Sequence, residues 1–266
     1  MAAKQAGRVL LALVLLLASG GLASARAESE VTPDRPGVTD DTQTVPFGAF
    51  QIEAGLEYAR TNVAASPAER QLAVQATFRA GLADRLEVRL EGEPLVRLRG
   101  AEQDTGHGDL TLGFRYRFLD APDGYWWPSL GVQPFVKFPI ARAPIGSERP
   151  DFGFLALASL NLPSQLSLDV NAGLVAMGQA RPNGYLLQAL TSASLERAIT
   201  ARLSGFVDLF FASRGERDGR DALGLDAGLV YLLTQRVALD VAVGTGLAGR
   251  GPEYVFRAGG STRFGR

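Results

Sequence analysis

The chain has 266 residues, 46% of them hydrophobic, with 27 Lys and Arg balanced by 28 Asp and Glu, one His and no Cys. That balance offers no basic surface for nucleic acid, and without Cys there are neither disulfide staples nor thiolate metal ligands. Beyond the N-terminal run, no stretch approaches the ~20 apolar residues of a spanning helix.

The N-terminus reads as an export signal. Lys4 and Arg8 flank a Leu/Val/Ala run at 9–17, and Ala25-Arg26-Ala27 gives a small-residue exit, with Ala23-Ser24-Ala25 as the alternative. A basic flank, short apolar core and such an exit fit a cleaved secretory peptide over 1–27. A polar, proline-marked segment follows at 28–48. It is expected either to hang in the periplasm or to fold back as a partial plug, with a barrel over 49–266.

From Phe50 a two-residue rhythm takes over. Phe50, Ile52, Ala54, Leu56 and Tyr58 alternate with Gln51, Glu53, Gly55 and Glu57. The same holds around Leu72–Phe78, Leu86–Leu90 and Leu110–Phe118, and then in segments 130–138, 152–160, 166–177, 185–195, 201–211, 223–232, 237–247 and 254–264. Alternation gives each strand one apolar and one polar face. About twelve strands is an even number, and most have about ten residues, the length a tilted strand needs to cross a bilayer. Soluble sheets favour about 5–6. Tight links at 81–85, 161–165, 196–200 and 233–236 alternate with longer ones at 61–69, 98–108, 140–150, 178–184, 213–220 and 248–253, while 119–125 is long for its place. The fold class expected is all-β, an antiparallel transmembrane barrel of outer-membrane type, with both termini periplasmic.

Aromatics fall at both strand ends, as interfacial girdles require. Phe50, Tyr116, Phe118, Trp126, Trp127, Tyr231 and Phe264 mark one level; Tyr58, Phe138, Phe152, Tyr185, Phe210, Phe211, Tyr254 and Phe256 mark the other. Pro134, inside a strand, calls for a bulge or another register. Leu186 and Leu190 fall on a nominally polar face, which points to a constriction or a shifted register.

The polar faces carry the functional candidates: Glu53, Glu57, Arg79, Glu87, Arg89, Glu91, Arg115, Arg117, Asp169, Asn171, Asp208, Asp226, Asp240, Arg257 and Arg263. A charge at membrane depth must face water or a partner, so these are expected in the lumen. They serve there either as rings that select a permeant or as pairs that close the barrel. Two chemical motifs carry less. Gly244-Thr245-Gly246-Leu247-Ala248-Gly249 matches a dinucleotide fingerprint, but Arg250-Gly251-Pro252 ends it where a helix is needed. His107, near Asp104 and Asp109, is alone; a solvated loop histidine is expected rather than a catalytic pair, and no metal site can be built on it.

The opening Thr32-Pro33-Asp34-Arg35-Pro36-Gly37-Val38-Thr39, followed by Val45-Pro46-Phe47-Gly48-Ala49-Phe50-Gln51-Ile52-Glu53-Ala54-Gly55, resembles a family of outer-membrane proteins named after the meta-pathway of phenol degradation. Asp34, Arg35, Pro36, Thr39, Pro46, Gly48, Phe50, Glu53 and Gly55 carry the resemblance. Gly81-Leu82-Ala83-Asp84-Arg85-Leu86-Glu87 is similar to the family's first tight turn, and Lys137-Phe138-Pro139 and Asn171-Ala172-Gly173 are weaker landmarks. The chain departs by ending Phe264-Gly265-Arg266 rather than on an aromatic residue, and by having Ile140 where the family has glycine.

The resemblance implies passage of small compounds, aromatic or apolar ones among them. Together these readings lead to a monomeric, passive outer-membrane channel without catalytic residues, metal or cofactor. Its partners would be outer-membrane lipid, the barrel-assembly machinery and a small permeant, and no nucleic acid. The rival readings are a barrel with a structural or surface-interaction role and a soluble periplasmic β-sandwich.

Overall fold

The computed structural model describes residues 30–62, 67–122 and 127–265. The export signal and Trp126 lie outside these residues. The strands are β1 (Phe50–Thr61), β2 (Glu69–Ala83), β3 (Leu86–Arg99), β4 (Asp104–Gly106), β5 (Leu110–Leu119), β6 (Ser129–Phe138), β7 (Asp151–Leu162), β8 (Leu166–Gln179), β9 (Gly184–Ala198), β10 (Leu203–Ala212), β11 (Ala222–Thr234), β12 (Val237–Gly249) and β13 (Tyr254–Phe264). Each long strand is antiparallel to its neighbours. β1 pairs with β13 from Phe50↔Phe264 to Arg60↔Tyr254, closing the sheet. β4 is a short addition beside β3 within the 100–109 link, where a plain loop was expected; the wall passes from β3 directly to β5. The result is a closed antiparallel barrel of twelve strands. Among the described residues, closure leaves the twelve-stranded wall without a free edge, which a spanning sheet in lipid requires.

Its polarity is the reverse of a soluble protein's. Ile52, Leu56, Phe114, Leu174, Leu239 and Val241 point outward and are exposed, while Glu53, Arg79, Glu87, Arg115, Asp208 and Asp226 point inward and are buried. Hydrocarbon-facing sheets show this arrangement, since water is inside and lipid outside. Aromatic contacts occur at both ends of the wall. Phe50 stacks on Phe264 at 4.9 Å at the short-turn end. Phe152 meets Tyr185 at 5.9 Å, and Tyr254 meets Phe256 at 5.5 Å, at the other.

Several local expectations need correction. Pro134 causes no bulge and no slip: Gly113↔Phe135 and Tyr116↔Val132 keep one register, with pairing to β5 interrupted between them and intact towards β7. The missing N–H is absorbed as a gap in one ladder. The irregularity in this ladder falls at Arg117/Leu119 instead. A bulge does occur in β3, where Val74↔Leu95 gives way to Ala76↔Gly92 around Glu93 and Pro94. It flips the parity of β3, so that Val96 is buried although Glu87, Arg89 and Glu91 face the same interior. Leu186 and Leu190 do share the inward face of β9 with Gln188 and Ser194, so no register shift is needed. Phe210, assigned to the girdle, turns inward and covers Gly224. The links at 180–183 and 250–253 are as short as the turn at 199–202, because the flanking strands run on past the expected ends. The glycine-rich Gly244–Gly249 run is the end of β12, not a phosphate loop.

Candidate functional site: the lumen and the segment inside it

Residues 30–49 carry no regular strand or helix, and they run through the barrel interior. The segment enters at the short-turn end, where the Val31 N–H donates to the Gln235 carbonyl at 2.8 Å. Val31 is fully buried there with Phe206, Val230, Leu232, Ala238 and Ala242. It climbs to Asp34 and Arg35, crosses to β10, and returns so that the Val45 N–H meets Glu87 at 2.7 Å. Gly48, with φ of +76°, then turns the chain into β1, a conformation that glycine takes without steric cost.

Alternation puts three arginines of adjacent strands on one inner wall: Arg79 of β2, Arg89 of β3 and Arg115 of β5. All three converge on Asp34. Arg115 holds it through both terminal nitrogens at 3.1 Å, Arg79 through Nη1 at 3.0 Å, and Arg89 through Nη1. Burial disfavours the Asp34 charge, but the guanidiniums of Arg115, Arg79 and Arg89 together outweigh it and hold the carboxyl well below the usual carboxylate range. The wall supplies counter-charges of its own. Glu87 accepts from Arg79 Nε at 2.9 Å, Glu53 from Arg79 Nη1 at 3.1 Å, and Glu91 from Arg89 Nε at 2.9 Å. Asp40 and Asp41 of the segment also reach Arg115, at 3.0 and 3.3 Å. Burial, and then the negative charge of Asp34, push the Asp41 carboxyl up to about 7, with 28% of its side chain still open to water.

The other predicted residues hold the segment from further round. The Asp208 carboxylate accepts the Val38 N–H at 2.7 Å and the Thr39 N–H at 3.4 Å. Asn171 pairs with both backbone groups of Asp40, at 2.9 and 2.8 Å, when its amide nitrogen faces the carbonyl. Asp169 accepts from Ser159, whose hydroxyl accepts the Thr42 N–H at 2.9 Å. Arg263 bonds Gln51 at 3.2 Å and Thr32 at 2.9 Å, and Arg117 bonds Gln43 at 2.8 Å. A polar chain runs through Asp226, Arg257, Glu57 and Gln75 to Arg35, whose Nη1 donates to Gln75 at 2.6 Å, while its Nη2 lies 3.6 Å from Asp240.

The motif residues of the N-terminus therefore gather at the segment. Glu53 accepts the Arg35 N–H at 3.1 Å, Pro36 and Thr39 are buried, and the Pro46 carbonyl presses on Gly81. Gly55 lets the Arg35 guanidinium approach, since a Cβ there would lie 2.1 Å from Arg35 Nη2. Strand parity also marks Gln51, Gln75, Gln133 and Ser159 as inward, although charge alone did not single them out. Asp40, Asp41, Thr32 and Gln43 belong to an unpatterned segment and carry no such signal. His107 is exposed, its Nδ1 3.1 Å from the Gly108 carbonyl; among the described residues it makes no hydrogen bond to Asp104 or Asp109.

A cavity of about 570 Å³ remains above the segment, between Asp34, Arg35 and Arg89 on one side and Ile145 and Ser147 of the 139–150 link on the other. A second, of about 430 Å³, opens at the short-turn end among Glu30, Gln165, Glu196 and Leu203. The fold and this interior define a class: a closed outer-membrane-type β-barrel with its own N-terminal segment folded into the lumen. The chain belongs to the family described as "Putative MetA-pathway of phenol degradation", which it matches over residues 33–264. No protein with a curated description matches it. Among solved structures, it is similar to an outer membrane channel from Pseudomonas putida F1, with TM-score 0.68 and 16% identity over 88% of this chain and 100% of that one. It is also similar to the NanC porin, with TM-score 0.56 and 11% identity over 80% and 98%. A third is the KdgM porin in complex with disordered oligogalacturonate, with TM-score 0.53 and 10% identity over 79% and 99%.

Proposed function

We propose that the protein is a passive outer-membrane channel for small molecules, whose lumen is narrowed by a resident plug. On this reading residues 1–27 are the export signal, 28–48 the plug and 49–266 the barrel. The observation that carries it is a charged, water-compatible interior inside an apolar exterior, with a cavity of about 570 Å³ above the plug. A barrel of twelve strands lies between the small barrels that side chains fill and the porins that leave an aqueous channel. The charged candidates act as counter-charges and lining, with no catalytic role, cofactor or metal. The barrel works as a monomer in outer-membrane lipid after insertion by the assembly machinery.

The permeant is small and amphipathic. Round the barrel from the arginine wall, Phe135, Leu155, Leu157, Val175, Leu190 and Phe210 turn inward from β6 to β10. They supply an apolar surface beside the charged lining, in addition to the cluster around Val31. This supports the aromatic compounds suggested by the family's name.

The test is conductance in planar bilayers and solute-driven swelling of liposomes, for the whole chain and for a chain lacking 30–46. Open-channel conductance is expected to rise several-fold without the plug, and phenol-sized solutes to pass. Silence of both proteins, inserted and heat-modifiable on gels, would overturn the channel reading in favour of a structural barrel. Release of the protein by osmotic shock would favour a soluble periplasmic one.

A further inference from the structure

Asp34 is a carboxylate that an irregular segment brings to three guanidiniums belonging to the wall. Each guanidinium is oriented without it. Arg79 is held by Glu87 at 2.9 Å, Arg89 by Glu91 at 2.9 Å, and Arg115 by Gln133 at 2.9 Å. The cleft therefore stays built if the Asp34 side chain withdraws. The Arg115 fork meets both oxygens of one planar anion, a geometry that recognises carboxylate as a shape and not only as a charge. The cleft meets open space on one side, with the Arg79 and Arg115 side chains fully buried behind it. Asp34 and Arg89 both border the cavity that extends to Ile145 and Ser147, so a solute entering from the long-loop end meets them at its floor.

We propose that the cleft of Arg79, Arg89 and Arg115 is a binding site for a small monocarboxylate, occupied within the chain by Asp34. A permeant acid takes over these bonds as the plug gives way, and its carbon skeleton remains in the cavity above. Asp34 thus acts as a built-in competitor that sets how strongly an external acid must bind. The inference takes the channel reading as its setting, but binding itself needs no conduction.

The test uses the full chain in detergent micelles with Asp34→Gly, which removes the one carboxylate that all three guanidiniums share and leaves Asp40 and Asp41 beside Arg115. Sodium acetate and sodium benzoate are compared with sodium chloride at equal ionic strength, and with acetamide as an uncharged match in shape. Acetate is expected to raise the unfolding midpoint of Asp34→Gly saturably, by roughly 3–6 °C, and to leave the wild type unmoved. Adding Arg115→Gln should abolish the response. If Asp34→Gly refolds poorly, its refolded fraction is read instead, with about a threefold gain expected in acetate. An equal response to chloride, or no response of either quantity to acetate, overturns the proposal. A variant that conducts in bilayers yet ignores acetate sinks this inference alone; one that binds acetate and never conducts sinks only the channel reading.

Discussion

Arg115 grips Asp34 with both arms of its guanidinium, Nη1 to Oδ1 and Nη2 to Oδ2, each at 3.1 Å, although 81 positions separate them in sequence. One residue belongs to the barrel wall and the other to the irregular segment inside the lumen, so this pair joins the two. A buried ion pair is weak evidence of net stability, because both charges are desolvated, but breaking one leaves the partner buried and uncompensated.

Replacing Arg115 with Leu should accordingly cost about 3–5 kcal/mol. Asp34, Asp40 and Asp41 would all lose a partner. Urea titration in micelles measures the loss, and limited proteolysis should find cleavage within 30–49 rising before the strands melt.

Gly55→Ala is expected to loosen the plug from the other side. The new Cβ would meet the Arg35 guanidinium at 2.1 Å and the Ala258 carbonyl at 2.6 Å. Overpacking of this kind typically costs about 1–3 kcal/mol. Because the Ala258 clash is with backbone, adding Arg35→Ala should recover only part of the loss, which a double-mutant cycle on the unfolding midpoint would read.

The plug should tighten on mild acidification. The Asp41 carboxyl is pushed up to about 7 in the folded protein, from an ordinary 3.8. Its contribution is thus fully present below the ordinary value and is lost as pH rises through about 7. Asp34 shifts the opposite way, so its ion pairs are already complete above the ordinary range and persist through mild acid. Protease protection of 30–49 should therefore increase from pH 8 to pH 6, and Asp41→Asn should flatten that dependence.

Two leucines of the wall test the inside-out arrangement. Leu174, outward on β8, is 51% exposed to the surroundings of the barrel. Arginine there should cost about 2–4 kcal/mol in a bilayer and lower the folded fraction in lipid vesicles. Leu186→Arg, on the inward face of β9, should fold nearly as well as wild type. Similar losses for both would contradict the assigned faces.

His107 offers a contrast. It is exposed in the 100–109 link and bonds a neighbouring carbonyl. His107→Ala should leave conductance and solute flux unchanged; complete loss in a folded variant would bring back an Asp–His catalytic reading.

Much of the barrel was legible because strand side chains alternate strictly. Glu87, Arg89 and Arg115 could be assigned to one face from parity, as could Asp208, Asp226 and Asp240. Parity failed where the backbone broke its own rule: the Glu93-Pro94 bulge turns Val96 inward, and nothing in the apolar pattern announces it. At Pro134 the reverse happened, since one interrupted ladder spared the register. The plug had no period to read. Asp40 and Asp41 carry no mark of their place in the sequence, which Arg115 and Arg89 of the wall define.

Alternation and strand length, properties of the sequence by itself, determined that this protein is a spanning barrel and which charges face its interior, because each side chain's face is set by its immediate neighbours along the strand. Where residues 30–49 go was decided only by the tertiary structure. Asp34 has no local partner, and its place exists only once β2, β3 and β5 stand side by side and bring Arg79, Arg89 and Arg115 to one point.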